Sequence, residues 1–556
     1  MRIAAILALF ATAALAQDPE EPRKLSGREL IDHEWKSRLA DAGFKAAPKT
    51  DDSEFMRRVY LDLVGTIPSL DQAEKFLAAK GGDKRAKLVD ELLSNGKYAE
   101  NWAWIWASSL VGTNGDDNRG DLAVLAVSKT LEEYFQKNEP FTKFATDVIT
   151  AQGMFELPNR RKKDDKKPDE KKPGGMMDEE EGGGMALMYF RWQQTAGRDF
   201  PMALANKFSR SFLGIQISCA QCHDHPFDKW TQEDFYGMAA FFTQVNVRRL
   251  QEEKQTYGYE IVERPARRGS GMLPLADTKK TVSAAWLDTK EKPGTDKNLR
   301  AEFARMLTSR ANVQFARGVV NRYWGYMFGR GIVNPIDDFN GRNKPSHPDL
   351  LEGLAAEFIA RNYDVKWLLR EIANSQPYQI SSRTKERSLD QEKLMAAAAV
   401  RSLTPEQILN SIIAAGLVDT SIIDRVMKAG ALRQFRFAFG DDEGAEIVEF
   451  EGTIPAALMM MNGDAISRAT GGAGGGRMKG QRRPAARGGL TRLDSILKQY
   501  SRDDERTRAV YLAVLSRPPS AKEMARALNY VNRRDEEGFE DLMWALMNSS
   551  EFLFNH

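Results

Sequence analysis

Apolar residues recur at helical spacing along most of this chain, and many of the runs open on a residue that can cap a helix. Asp51-Asp52-Ser53 precedes Glu54-Phe55-Met56-Arg57-Arg58-Val59-Tyr60-Leu61-Asp62-Leu63, which predicts a helix. Pro68 breaks the next turn, and Ser69 to Ala79 and Lys84 to Leu93 predict two more. Tyr98, Trp102, Trp104 and Trp106 mark an aromatic-rich helix. Trp102 and Trp106, four apart, share a buried face, while Trp104 points elsewhere. Phe200 to Ile217 predicts a helix running straight into Cys219, and Thr231-Gln232-Glu233-Asp234 resembles a capping box opening a helix from Phe235 to Val245. The same period returns at Leu299 and continues through Phe315 to Phe328, Leu350 to Ala360, Val365 to Ser375, and Pro405 to Leu417 with Thr404 as N-cap. Four further helices are expected at Leu490 to Tyr500, Glu505 to Leu515, Ala521 to Arg533 and Glu540 to Met547.

The period fails in three places. Residues 158 to 186 carry charge runs, prolines and glycine clusters, and read as a disordered insertion. Residues 248 to 296 read as an interdomain segment with short strands around Gln255 to Val262. Residues 470 to 489 are glycine- and arginine-rich, the composition of a flexible loop. The expected fold is therefore mainly α: two helical domains, 26 to 247 and 297 to 556, with long irregular loops and a few short strands.

Residues 1 to 16 have the form of a secretory signal. Arg2 precedes an apolar run from Ile3 to Ala13, and Ala14-Leu15-Ala16 is a small-residue cleavage site before Gln17. The run is too short to span a membrane and no later segment is long and apolar enough, so an exported, periplasmic or extracellular protein without a transmembrane segment is expected. With 80 basic and 78 acidic residues, no global field argues for a nucleic-acid partner.

Candidate chemistry is concentrated at Cys219-Ala220-Gln221-Cys222-His223, which holds the two cysteines of the chain. The C-x-x-C-H spacing is the attachment signature of c-type haem, with Cys219 and Cys222 as thioether donors and His223 as proximal ligand. Electron transfer, with a redox partner protein, is the corresponding use. The same residues also suit a disulfide, a redox-active thiol pair, or a zinc or iron site drawing on His223, Asp224, His225 and Asp228. On those readings the protein is a secreted binding or scaffold protein. A sixth ligand for haem iron could come from a methionine or from His33, His347 or His556, since His225 stands too close to His223 to reach the opposite face.

A separate cluster comprises Asp337, Asp338 and His347, which could serve acid–base chemistry in an extracellular hydrolase or, alternatively, cap helix ends. Adjacent carboxylates normally point apart. The G-x-S-x-G, P-loop, G-x-G-x-x-G and H-E-x-x-H patterns are all missing from the sequence, which removes the familiar hydrolase and nucleotide-binding classes and leaves no enzyme class assigned.

Several of these stretches resemble a bacterial secreted family abundant in planctomycetes. Glu54 to Pro68 is similar to the opening of the cytochrome-like domain of unknown function 1549, and Cys219 to Asp228 to its signature. Asn321-Arg322-Tyr323-Trp324, Phe328 to Gly331, Asp337-Asp338-Phe339, Pro345 to Pro348, Met461-Asn462-Gly463 and Asn548 to His556 resemble its usual partner, domain of unknown function 1553. The resemblance implies a cytochrome link. Many relatives carry an additional N-terminal cytochrome-like domain with its own C-x-x-C-H, for which Gln17 to Ser53 is too short.

Overall fold

The computed structural model describes residues 25, 27–112, 118–156, 183–252, 255–265, 270–275, 278–294, 298–384, 388–417, 425–439, 454–469 and 491–556. The expected signal segment, the 470–489 loop and residues 158–182 of the expected insertion lie outside them. The remainder of that insertion is helical: Gly183 opens the Gly183–Ala196 helix, and Met185 and Ala186 are buried. The fold is mainly α, as its periodicity predicts.

Helix starts fall where the caps predict them. Asp51 accepts the Glu54 N–H ahead of Asp52–Val64, and Ser69, Thr231 and Thr404 each close a capping box. The run from Phe200 is the exception. It forms a helix only over Phe200–Phe208, widens into a π-turn at Ser209–Leu213, and stops at Gly214, whose φ of 67° is left-handed. A Cβ at Gly214 would also lie 2.8 Å from the Phe339 ring, so a residue 125 positions away helps end this helix.

The expected interdomain segment contributes a hairpin. Strands β1 (Gly153–Glu156), β2 (Val245–Glu252) and β3 (Gln255–Glu263) form an antiparallel sheet in the order β1-β3-β2, with Phe155 opposite Tyr259. The Gly183–Ala196 helix packs on it, with the Phe190 ring 4.0 Å from Tyr259.

The two halves share one apolar core. Trp102 and Trp106 on Gly96–Val111 are fully buried and meet Tyr323 on Val313–Phe328: Trp106 Nε1 donates to the Tyr323 hydroxyl at 3.0 Å, and the Trp102 ring lies 4.8 Å from Tyr323. Asp52–Val64 is buried on every side, so its charged residues need partners inside the protein. Arg57 donates to the carbonyls of Glu551, Phe552 and Phe554. Arg58 donates to those of Tyr378, Ile380 and His556, and pairs with Glu54. Asp62 accepts from Arg401 at 2.8 and 2.9 Å, the Tyr378 hydroxyl at 2.7 Å and Asn555 at 2.8 Å. Beside it, Arg401–Ser402 pairs antiparallel with Phe554–Asn555. One helix near the start of the chain is thus clasped by segments from the second half.

Candidate functional site

From Gly214 to Ile217 the chain has no regular structure, then winds into a 3-10 turn over Ser218–Gln221, with Cys222 as its C-cap. At three residues per turn, positions i and i+3 stand one above the other, which brings Cys219 and Cys222 to one side. Both thiols are free and exposed. Ala220 is fully buried and anchors the turn, which packs on the Gln232–Ala240 helix.

The rest of the motif is tied to its own backbone. His223 Nδ1 lies 2.8 Å from the Asp224 carbonyl. A carbonyl only accepts, so Nδ1 carries a proton, and in the neutral ring Nε2 is the nitrogen that offers a lone pair to a ligand. Asp224 accepts the Gln232 N–H at 2.9 Å, Asp228 accepts the Lys229 N–H at 2.8 Å, and His225 Nδ1 accepts the Phe227 N–H at 3.3 Å. These bonds spend the extra donor atoms on shaping the loop. Accordingly, among the described residues no three His, Cys, Asp or Glu side chains are grouped to hold a metal ion, and His223, Asp224, His225 and Asp228 do not converge as such a set.

The second half supplies the neighbours of this turn. Asp337 is buried, paired with Arg210 and accepting from Gln216 at 3.3 Å, three residues ahead of Cys219. The guanidinium of Arg342 sits 3.7 Å from the centroid of Phe227, an exposed ring in the motif loop. Phe339 N–H donates to the Gly214 carbonyl at 2.8 Å. The loop from Asp337 to Arg342 therefore braces the cysteine turn on both flanks. Arg210, Gln216 and Arg342 lie outside the expected site residues, and their types and spacing carry no signal of this contact. Behind them, Lys207 donates to the Ser109 carbonyl at 2.6 Å. Burial and the guanidiniums of Arg210 and Arg322 bring its pKa down to about 8, against the pull of Asp337.

The three residues of the acid–base reading separate. Asp338 turns to Asn343, which donates at 2.7 Å, while Asp337 turns to Arg210. His347 is the buried N-cap residue of Pro348–Ala360, its Nδ1 2.9 Å from Ser346 Oγ and its Nε2 buried without a partner. Burial, with Arg38 adding to it, pushes its pKa down to about 4. His33 is exposed beside Glu34, and the His556 carbonyl is held by Arg58.

The placing of the cysteine turn in the first half, and of its brace in the second, coincides with two family matches. A model described as a protein of unknown function (DUF1549) matches residues 30–247, and one described as a protein of unknown function (DUF1553) matches residues 299–434. The chain belongs to the family that joins these two domains. In DUF1549 terms, the C-x-x-C-H motif lies near the end of the matched segment; in DUF1553 terms, the Asp337 loop lies near the start of its own. No curated protein and no solved structure matches the chain. Among the described residues, no helix is long and apolar enough to cross a membrane.

Proposed function

We propose that the turn from Cys219 to His223 attaches haem c and that the protein serves electron transfer in an exported location. The observation carrying this reading is the contact of His223 Nδ1 with the Asp224 carbonyl at 2.8 Å. With Nδ1–H held on that carbonyl, Nε2 is the ring nitrogen left to ligate iron, the arrangement an iron-ligating imidazole needs. Two free thiols on one side of a 3-10 turn match the same use, Cys219 and Cys222 holding the group by thioether bonds. When bound, haem supplies one-electron chemistry whose potential depends on its axial ligands and surroundings.

The residues around the turn would hold it still and set its environment. Arg342 over Phe227, and Arg210 with Gln216 on Asp337, fix the loop against the second half. An all-protein zinc or iron site asks for several converging ligands, whereas haem asks this chain for two thiols and one imidazole.

The test is a pyridine haemochrome spectrum of protein made in a host with haem-attachment machinery. Covalent haem that disappears in the Cys219→Ser, Cys222→Ser double variant is expected. A colourless protein carrying two titratable thiols, a disulfide or bound zinc would overturn the reading.

A further inference from the structure

An asparagine followed by glycine is a place where a chain can attack itself, because glycine, with no Cβ, leaves its amide nitrogen open to the carbon of the preceding side-chain amide. The sequence holds four such pairs: Asn95-Gly96, Asn114-Gly115, Asn340-Gly341 and Asn462-Gly463. Asn114-Gly115 lies outside the described residues, and the fold treats the other three differently. Asn95 caps the Gly96–Val111 helix by accepting the Lys97 N–H at 2.9 Å, so the nitrogen that would attack is built into the first turn of a helix whose Tyr98 and Trp102 are buried. The Gly463 N–H is already given to the Met459 carbonyl at 2.7 Å.

Asn340 has neither restraint. It is partly exposed in the loop that braces the cysteine turn, and nothing lies within 4 Å of where a Cβ on Gly341 would stand. Among the described residues, no hydrogen bond engages the Gly341 N–H or the Asn340 side-chain nitrogen. The Asn340 Oδ1, by contrast, accepts two backbone N–H groups, from Arg342 at 2.8 Å and Asn343 at 3.0 Å. Two donors on one oxygen act as an oxyanion hole does. They draw electron density from Cγ and stabilise the negative charge that its oxygen takes on when a nucleophile adds.

We propose that Asn340-Gly341 is a self-modification site whose products loosen the brace on the cysteine loop. The Gly341 nitrogen bonds to Asn340 Cγ and gives up its proton. The Cγ–Nδ2 bond breaks, and the amide leaves with that proton as ammonia. Water then opens the cyclic imide. Opening at Cγ leaves aspartate; opening at the main-chain carbonyl leaves isoaspartate, whose main chain is one carbon longer. Both products place a new carboxylate two residues from Arg342, where it competes with the Phe227 ring for the guanidinium. Isoaspartate also shifts the carbonyl that orients the Arg342 and Asn343 N–H groups.

Ageing the full chain in mildly alkaline buffer, followed by tryptic peptide mapping, tests this. Cleavage after Arg330 and Arg342 isolates Asn340, and the other asparagine of that peptide, Asn334, precedes a proline whose nitrogen has no proton to lose. A mass gain of one dalton, with aspartate and isoaspartate forms separated by chromatography, is expected several-fold sooner here than at Asn95 or Asn462. Ageing in guanidinium chloride removes the two donors and should shrink that lead. Asn340→Gln, which would have to close a larger ring, should lose the fast conversion. Amide exchange from His223 to Lys229 should quicken in the aged protein. An Asn340 that converts no faster than Asn95 and Asn462, a lead undiminished in denaturant, or unchanged exchange in the Phe227 loop after conversion would each overturn the proposal.

Discussion

Replacing Gly318 by alanine probes how closely the second half must approach the segment leading to the cysteines. Gly318 sits inside Val313–Phe328, where this helix crosses the π-turn Ser209–Leu213. A Cβ there would lie 2.8 Å from the Phe212 carbonyl oxygen, 2.8 Å from the Leu213 carbonyl carbon and 2.9 Å from its oxygen. These are backbone atoms, so no side chain can swing aside to relieve the clash. Overpacking of this kind costs about 1–3 kcal/mol, and the better helix propensity of alanine returns up to about 1 kcal/mol. With rigid backbone as the obstacle the cost falls in the upper part of its range, for a net loss of about 1–2 kcal/mol. The same helix also holds the π-turn through Gln314 to the Leu213 carbonyl at 2.8 Å and Arg322 to the Arg210 carbonyl at 2.9 Å, and both bonds would be strained. Gly96, at the start of Gly96–Val111, is the control, because a Cβ there meets nothing within 4 Å. Gly96→Ala should be neutral or stabilising by about 0.5 kcal/mol. Urea unfolding followed by tryptophan fluorescence, with equal slopes in all three proteins, gives the comparison. A Gly318→Ala protein as stable as its parent, beside a well-behaved control, would refute this account of the crossing.

Three other outcomes are expected. His347 is neutral and buried with its pKa lowered to about 4, so the unfolded chain binds more protons between about pH 6.5 and 4. Its contribution is complete above that window and is lost as pH falls through it, by roughly 2–3 kcal/mol near pH 4.5; urea midpoints of His347→Asn should show a correspondingly weaker acid dependence, and identical slopes would sink the argument. Arg401→Gln leaves the Asp62 carboxylate without its cation in the interior and should destabilise by about 3–5 kcal/mol. Adding Asp62→Asn should recover part of that loss, and simple additivity in the double-mutant cycle would count against the pairing. The Cys219→Ser, Cys222→Ser variant should unfold within about 0.5 kcal/mol of the parent with its two free thiols, before any group is attached, since both side chains are exposed; a larger change in the urea midpoint would show that the thiols pack.

Helix starts were legible because capping is local: Asp51, Ser69, Thr231 and Thr404 announce their helices within four residues. What ends the Phe200 helix is less local. Gly214 is a visible cue for a left-handed cap, but the press of Phe339 on it comes from another part of the chain. Glu54, Arg57, Arg58 and Asp62 would pass for a solvated face by their side-chain types. They are buried because their partners lie hundreds of residues away, a relation that periodicity does not encode. At the candidate site the pattern is the same. The cysteine motif was legible from spacing alone, while the brace formed by Arg210, Gln216, Asp337 and Arg342 depends on how the two halves meet. The Asp337–Asp338–His347 grouping gathered neighbours in sequence that the fold sends in different directions.

The clasp on Asp52–Val64 also imposes an order in time. Arg57 and the Glu551 carbonyl that receives it are 494 positions apart, so the helix is synthesised long before its partners exist. Until they arrive, two guanidiniums and two carboxylates on a helix destined for the interior must stay in water, because burying them unpaired costs several kcal/mol each. An early segment therefore becomes native late, and contacts at such separation are slow to form. Through that interval this helix remains open to chaperones and proteases, and it is enclosed when the segment around Phe552 docks.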